Sequence, residues 1–189
     1  MRFPVFSAVS LAAVLASSST AVPVEEKPGG ATTRAPGTSG VPGADGERAV
    51  VERAVRDSIG WALTKDRARL ENVLAHEDDL FVFHPDSKST VRGWASFARL
   101  LDEFMDPRFV ATRFEVRDLA VTFSAGRAVA WYSAYLDDCG TWEGRESCWK
   151  DARWTGVLER RGGRWVIVQM HFSLARDQVL AECPRSAAK

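Results

Sequence analysis

The sequence predicts an α+β domain in which a curved antiparallel sheet wraps three N-terminal helices. Three observations lead there. Apolar residues recur at helical spacing as far as Met105, they alternate with period two from Phe109 onward, and glycine-bearing turns divide that second half into a meander of strands. Helices followed by antiparallel strands pack as two layers, and curvature of the sheet leaves a pocket between them.

The first helix is marked by Val50, Val51, Ala54, Val55, Ile59, Ala62 and Leu63, which recur at helical spacing between Gly46 and Thr64. Thr64 is the expected cap of a second, shorter helix with the stripe Leu70, Val73 and Leu74, which Asp78-Asp79 ends. Leu80 to His84 and Thr90 to Arg92 flank the turn-forming cluster Pro85 to Ser89, which predicts a small hairpin. After Gly93, the set Trp94, Phe97, Leu100, Leu101, Phe104 and Met105 is helical again, and Asp106-Pro107 stops it.

In the second half, Phe114 and Val116 share one phase while Leu119, Val121 and Phe123 share the other. A slip at Arg117-Asp118 predicts a β-bulge. Ser124 to Gly126 turns into a strand from Ala128 to Asp138, a loop holding Cys139 and Cys148 leads to Ala152 to Arg160, and Arg161-Gly162-Gly163 turns into Trp165 to Ser173. With a three-residue loop, Arg160 pairs with Arg164, and Arg153 falls opposite His171.

The chain outside this domain reads as address and tether. Met1-Arg2 gives a short positive start, Phe3 to Ala16 is an apolar run too short for a membrane span, and Ser19 and Ala21 stand where a signal peptidase needs small residues. Residues 1–21 are therefore expected to be a secretory signal. Residues 22–46 are rich in Pro, Gly, Ala, Thr and Ser and read as a flexible linker, 47–180 as the folded domain and 181–189 as a tail. The expected location is secreted or periplasmic, with no membrane contact after cleavage.

Composition narrows the function classes. The 189 residues are 46% hydrophobic and 26% charged, enough for one core, and 25 basic residues balance 25 acidic ones. No positive excess exists for a phosphate backbone, so nucleic acid is not expected as a partner. His76 and His84 have no helical partner at ligand spacing, and no phosphate loop or nucleophile elbow is present. No metal and no cofactor are expected. Cys139 and Cys148 bracket eight residues and should form a disulfide in an oxidising compartment. Cys183 is then the odd thiol, unless it pairs with one of them.

The stretch Arg153 to Ser173, with Trp165, His171 and Ser173, resembles the closing hairpin of SnoaL-like proteins in the nuclear transport factor 2-like superfamily. The likeness extends to the helix pair with Asp66, the Phe83 to Gly93 segment and Ala130-Trp131. It implies a cone-shaped barrel, usually dimeric through the outer face of its sheet. Members range from isomerases, dehydratases and polyketide cyclases to non-catalytic association domains, so the resemblance implies a fold more than an activity. The Cys139/Cys148 pair departs from its relatives.

On the expected register, Trp165, Ile167, His171 and Ser173 share the face that meets the helices. Arg153, Thr155, Gln169 and His171 then form the polar floor of an apolar pocket lined by Trp131, Trp61 and Phe104. Tyr135 and Asp137 alternate with Trp131 along the preceding strand, so Asp137, His171 and Tyr135 are candidate catalytic groups for moving a proton beside a carbonyl. The ligand expected is small and apolar or aromatic. Other readings stay open: Arg153 and His171 as buried structural residues partnered by Asp79 or Asp137, Asp137 as a solvent-facing strand end, and the whole domain as a dimerisation or accessory module. Val166, Val168, Met170 and Phe172, on the other face, would be covered by a second copy, giving a homodimer.

Overall fold

The computed structural model describes residues 44–86 and 89–177, so the signal, linker and tail segments lie outside the described residues, except that the first helix begins at Ala44. Helix α1 (Ala44–Gly60) buries Val51, Ala54, Val55 and Ser58, one stripe at the expected spacing. Its first turn is fastened by Glu47, 6% exposed, which accepts hydrogen bonds from Arg127 Nε at 2.7 Å and Arg160 Nη1 at 3.3 Å. The helix tightens into a 3-10 turn (Trp61–Leu63) before helix α2 (Arg67–Glu71). Asp66 caps α2 by accepting from the Arg69 amide at 3.0 Å. Thr64, the expected cap, instead closes the 3-10 turn, because Lys65 at φ 53° reverses the chain between the two.

Strands β1 (Phe81–Phe83) and β2 (Val91–Arg92) form the expected hairpin, and helix α3 (Trp94–Phe104) starts at Gly93, whose φ of 72° suits glycine. Strands β3 (Phe109–Phe123), β4 (Val129–Trp142), β5 (Arg145–Arg161) and β6 (Arg164–Ser173) make an antiparallel meander. The sheet order is β2-β1-β6-β5-β4-β3, with β1 parallel to β6. Among the described residues the two ends do not pair, so the expected cone is a curved, mostly antiparallel sheet left open rather than a closed barrel. The bulge at Arg117-Asp118 is present, with Asp118 at φ 51°.

Two expectations about connections change. Cys139 and Cys148 do not sit in a loop, because both strands continue past them as a long arm turning at Glu143-Gly144. The β5–β6 turn has two residues, Gly162-Gly163 at φ 56° and 80°, so Arg161 pairs with Arg164. A bulge at Val168 then takes up one residue. Beyond it Val157 pairs with Gln169, Thr155 with His171, and Arg153 with Ser173.

That bulge inverts the phase of β6. Trp165 and Ile167 face the helices, but after Val168 it is Met170 and Phe172 that do so, and Gln169 and His171 turn outward. The concave core thus combines Ala130, Tyr132, Ala134 and Leu136 of β4, Ala152, Trp154 and Leu158 of β5, and Phe97 and Leu101 of α3.

Candidate functional site

The expected site residues are brought together, but on the convex face. Tyr135 pairs with Arg153, Ser133 with Thr155, and Trp131 with Val157. Thr155 in turn faces His171, and Val157 faces Gln169. Trp131 is 46% and Tyr135 43% exposed, and Phe83 lies 5.7 Å from the His171 ring. Asp118, Ser133, Tyr135, Arg153 and Thr155 line a groove of about 250 Å³ on this face. The expected inner polar floor is corrected to an outer one by the two-residue turn and the Val168 bulge. Trp61 and Phe104 remain on the other side, in edge-to-face contact at 6.4 Å within the helix–sheet core.

Asp137 serves the bulge where β4 meets β5. It accepts from the Asp151 amide at 2.8 Å and from Arg117 Nη2 at 3.0 Å, and the amide first, then the guanidinium, hold its carboxyl below the usual range. A carboxylate so committed is a poor base. The structural partners considered for Arg153 and His171 are engaged elsewhere: Asp79 pairs with Arg161, and Asp137 with Arg117.

The concave face carries a different set. Tyr132, Trp154, Phe172 and His84 form a continuous aromatic row: Tyr132 meets Trp154 edge-on at 5.1 Å, Trp154 stacks on Phe172 at 5.7 Å, and Phe172 stacks on His84 at 5.7 Å. Gly156 makes room for it, since a Cβ there would stand 2.5 Å from the Tyr132 ring and from the Gln169 carbonyl oxygen. Tyr132 Oη and Trp154 Nε1 are buried and have no hydrogen-bond partner among the described residues. Each orphaned donor costs about 1–3 kcal/mol unless something meets it.

At the end of this row, Trp149 joins two titratable groups. Its ring is 6.1 Å from His84 and 5.6 Å from Phe172, and its cross-strand partner is Asp138. Asp138 continues the inward phase of Tyr132, Ala134 and Leu136, between Phe114 on β3 and Trp149 on β5. Among the described residues its carboxyl has no ion pair or hydrogen bond, and burial pushes it up to about 6. Burial lowers the His84 imidazole, and the Nδ1 contact to the Ser89 carbonyl at 2.7 Å assigns its proton to Nδ1, leaving the Nε2 lone pair as an acceptor.

Neither group was singled out as a site residue from the sequence. The signal for Asp138 was there: it follows Tyr132, Ala134 and Leu136 in strict alternation, a phase whose small and apolar residues mark the packed face. His84 carries no such signal, because its place depends on β1 joining β6 in parallel.

Cys139 and Cys148 are joined by a disulfide, as expected, and such bonds belong to oxidising compartments. With Glu146 they are a group of ligand atoms within 4.8 Å of one another, but the bonded sulfurs have no thiolate to offer a metal. No helix among the described residues is long and apolar enough to cross a membrane.

Residues 51–177 match the model of the family described as SnoaL-like domain. No curated protein matches the sequence. Among solved structures, an NTF2-like protein of unknown function in nutrient uptake from Rhodospirillum rubrum is similar at 22% identity and TM-score 0.53, over 67% of this chain and 97% of that one. A hexachlorocyclohexane dehydrochlorinase is similar at 18% and 0.55, over 69% and 90%. The association domain of C. elegans CaMKII is similar at 15% and 0.52, over 69% and 97%. At these identities the likeness is one of fold.

Proposed function

Since the chain belongs to the SnoaL-like domain family, we propose that it is an exported small-molecule-binding protein that moves a proton on a ligand held against the concave face of its sheet. The observation that carries this reading is Asp138, an unpaired carboxyl among aromatic rings, raised by burial to about 6. A base with that affinity is ionised at neutral pH yet still competent to take a proton. Isomerases, cyclases and dehydratases share such a step beside a carbonyl. Tyr132 Oη and Trp154 Nε1, two orphaned donors on the same face, suit a ligand's carbonyl oxygen, and the aromatic row suits a flat apolar body. The Nε2 of His84 suits a ligand hydroxyl.

The convex set Trp131, Tyr135, Arg153, Thr155, Gln169 and His171 then serves as the contact face for a second copy, its exposed rings supplying the apolar part of the contact. Export rests on the signal-like start and on the disulfide.

Proton transfer is tested by exchange in deuterium oxide, following the α-protons of a panel of aromatic and alicyclic ketones by NMR. Wild-type protein should speed exchange for a subset of them, and Asp138→Asn should remove about 100-fold of that effect. Equal rates in both proteins would leave the second reading, a non-catalytic assembly module. One observation favours that reading: Trp154 and Phe172 fill the middle of the concave face, and the grooves of about 250 and 100 Å³ lie elsewhere.

A further inference from the structure

We infer that the Cys139–Cys148 disulfide is a positioning element of the concave site: closing the ladder one residue beyond Asp138 and Trp149, it keeps Trp149 beside Asp138. The inference rests on the reading of Asp138 as the site's base and adds what holds that base in its setting.

Three features make Trp149 the least supported wall of the site. First, a bulge separates it from the main ladder. Leu136 pairs with Ala152 and Asp138 with Trp149, so Lys150 and Asp151 of β5 stand against Asp137 alone, and Asp151 takes a φ of 50°. Second, β6 ends at Ser173, opposite Arg153, so among the described residues the backbone of β5 from 145 to 152 has a strand neighbour on the β4 side only. Third, from the far side Trp149 is met by the rings of His84 and Phe172, at the margin of the core rather than within it. A single-sided ladder beyond a bulge opens readily, and a covalent closure at the next pair prevents it.

The charged groups around Asp138 do not substitute for that closure. His84 shares its face from the end of β1, Lys150 and Asp151 lie in the β5 bulge, and Asp137 precedes it on β4. From β3, Arg113 approaches Cys139 Sγ at 3.6 Å, and Arg117 binds Asp137 and Asp151. Burial, not any of these charges, raises the carboxyl. If Trp149 leaves, water enters and the effect is lost.

The test is a carboxyl-carbon NMR titration of the whole protein in three forms: oxidised, C139S/C148S, and wild type reduced by dithiothreitol, which closes to its cyclic disulfide as the two thiols form. The Asp138 carboxyl should titrate near 6 in the oxidised form and fall toward 3.8 in the other two. Glu47 reports the fold, and its lowered titration should not move. An Asp138 value that stays near 6 without the cross-link overturns the inference. So does unfolding of both open forms, seen as Glu47 rising to 4.5, because the bond would then hold the whole domain rather than this pair. An ordinary value in the oxidised protein overturns instead the reading of Asp138 on which the inference rests.

Discussion

Asp138 and Trp149 face each other across β4 and β5 on the concave side of the sheet, and the next pair along, Cys139 and Cys148, is covalently closed. The polar group of the site and the strongest local tether of the arm are thus neighbours in both strands.

Removing the disulfide should cost stability. The bond closes a sequence separation of 9, for which loop entropy gives about 2.5–3 kcal/mol. Denaturant unfolding of C139S/C148S should show that loss, and non-reducing peptide mapping of wild type should recover the cross-linked pair. Three free thiols would contradict it.

Asp138 should make the domain less stable as pH rises through the acid range. Its folded value, about 6, lies above the ordinary 3.8, so between those values the folded chain keeps a proton that the unfolded chain releases. Its contribution therefore favours folding at low pH and is lost as pH rises to about 6. Asp138→Asn should stabilise the protein at pH 7 by about 1–3 kcal/mol while removing proton transfer. A destabilised Asn variant would mean that the carboxylate has a structural partner.

Glu47 should act with the opposite sign. Arg127 is the main group holding its carboxyl below the ordinary 4.5, so its contribution is present above that value and is lost as pH falls through the lowered one. Glu47→Gln leaves Arg127 and Arg160 without their shared carboxylate, and the thermal midpoint should drop by several degrees at pH 7 and by less at pH 3.

Gly156→Ala should be among the most damaging small substitutions. The added carbon would meet the Tyr132 ring at 2.5 Å and its hydroxyl at 2.6 Å, with a backbone carbonyl behind. A loss of about 3 kcal/mol is expected on unfolding, together with a displaced Tyr132 fluorescence or NMR signal.

The convex face should hold a second copy. Trp131→Glu places a charge in its exposed apolar centre, so light scattering should find a dimer in wild type and a monomer in the variant, both folded. A wild-type monomer would remove this reading, and N-terminal sequencing of exported protein should begin at Val22.

Helix spacing made α1 and α3 legible, and alternation with glycine turns made the meander legible, because these patterns are local. The face of β6 was not, since it depends on whether Gly162-Gly163 forms a two- or three-residue turn and on one bulged residue. The clue lay in β6 itself: apolar residues occupy both phases from Trp165 to Val168, but only the Met170 and Phe172 phase afterward. A switch of that kind marks a bulge. Choosing Trp131, Tyr135 and Asp137 over the quieter Tyr132, Ala134 and Leu136 followed side-chain chemistry, whereas small residues beside large ones mark the packed face.

The most direct test of the concave site is an indole N–H NMR spectrum recorded while small aromatic ketones are added. Trp154 and Trp149 border the site, and Trp131 lies on the opposite face of the same sheet. The account predicts that binders shift the Trp154 and Trp149 resonances and leave Trp131 in place. Shifts confined to Trp131, or none with any compound of the panel, would contradict it.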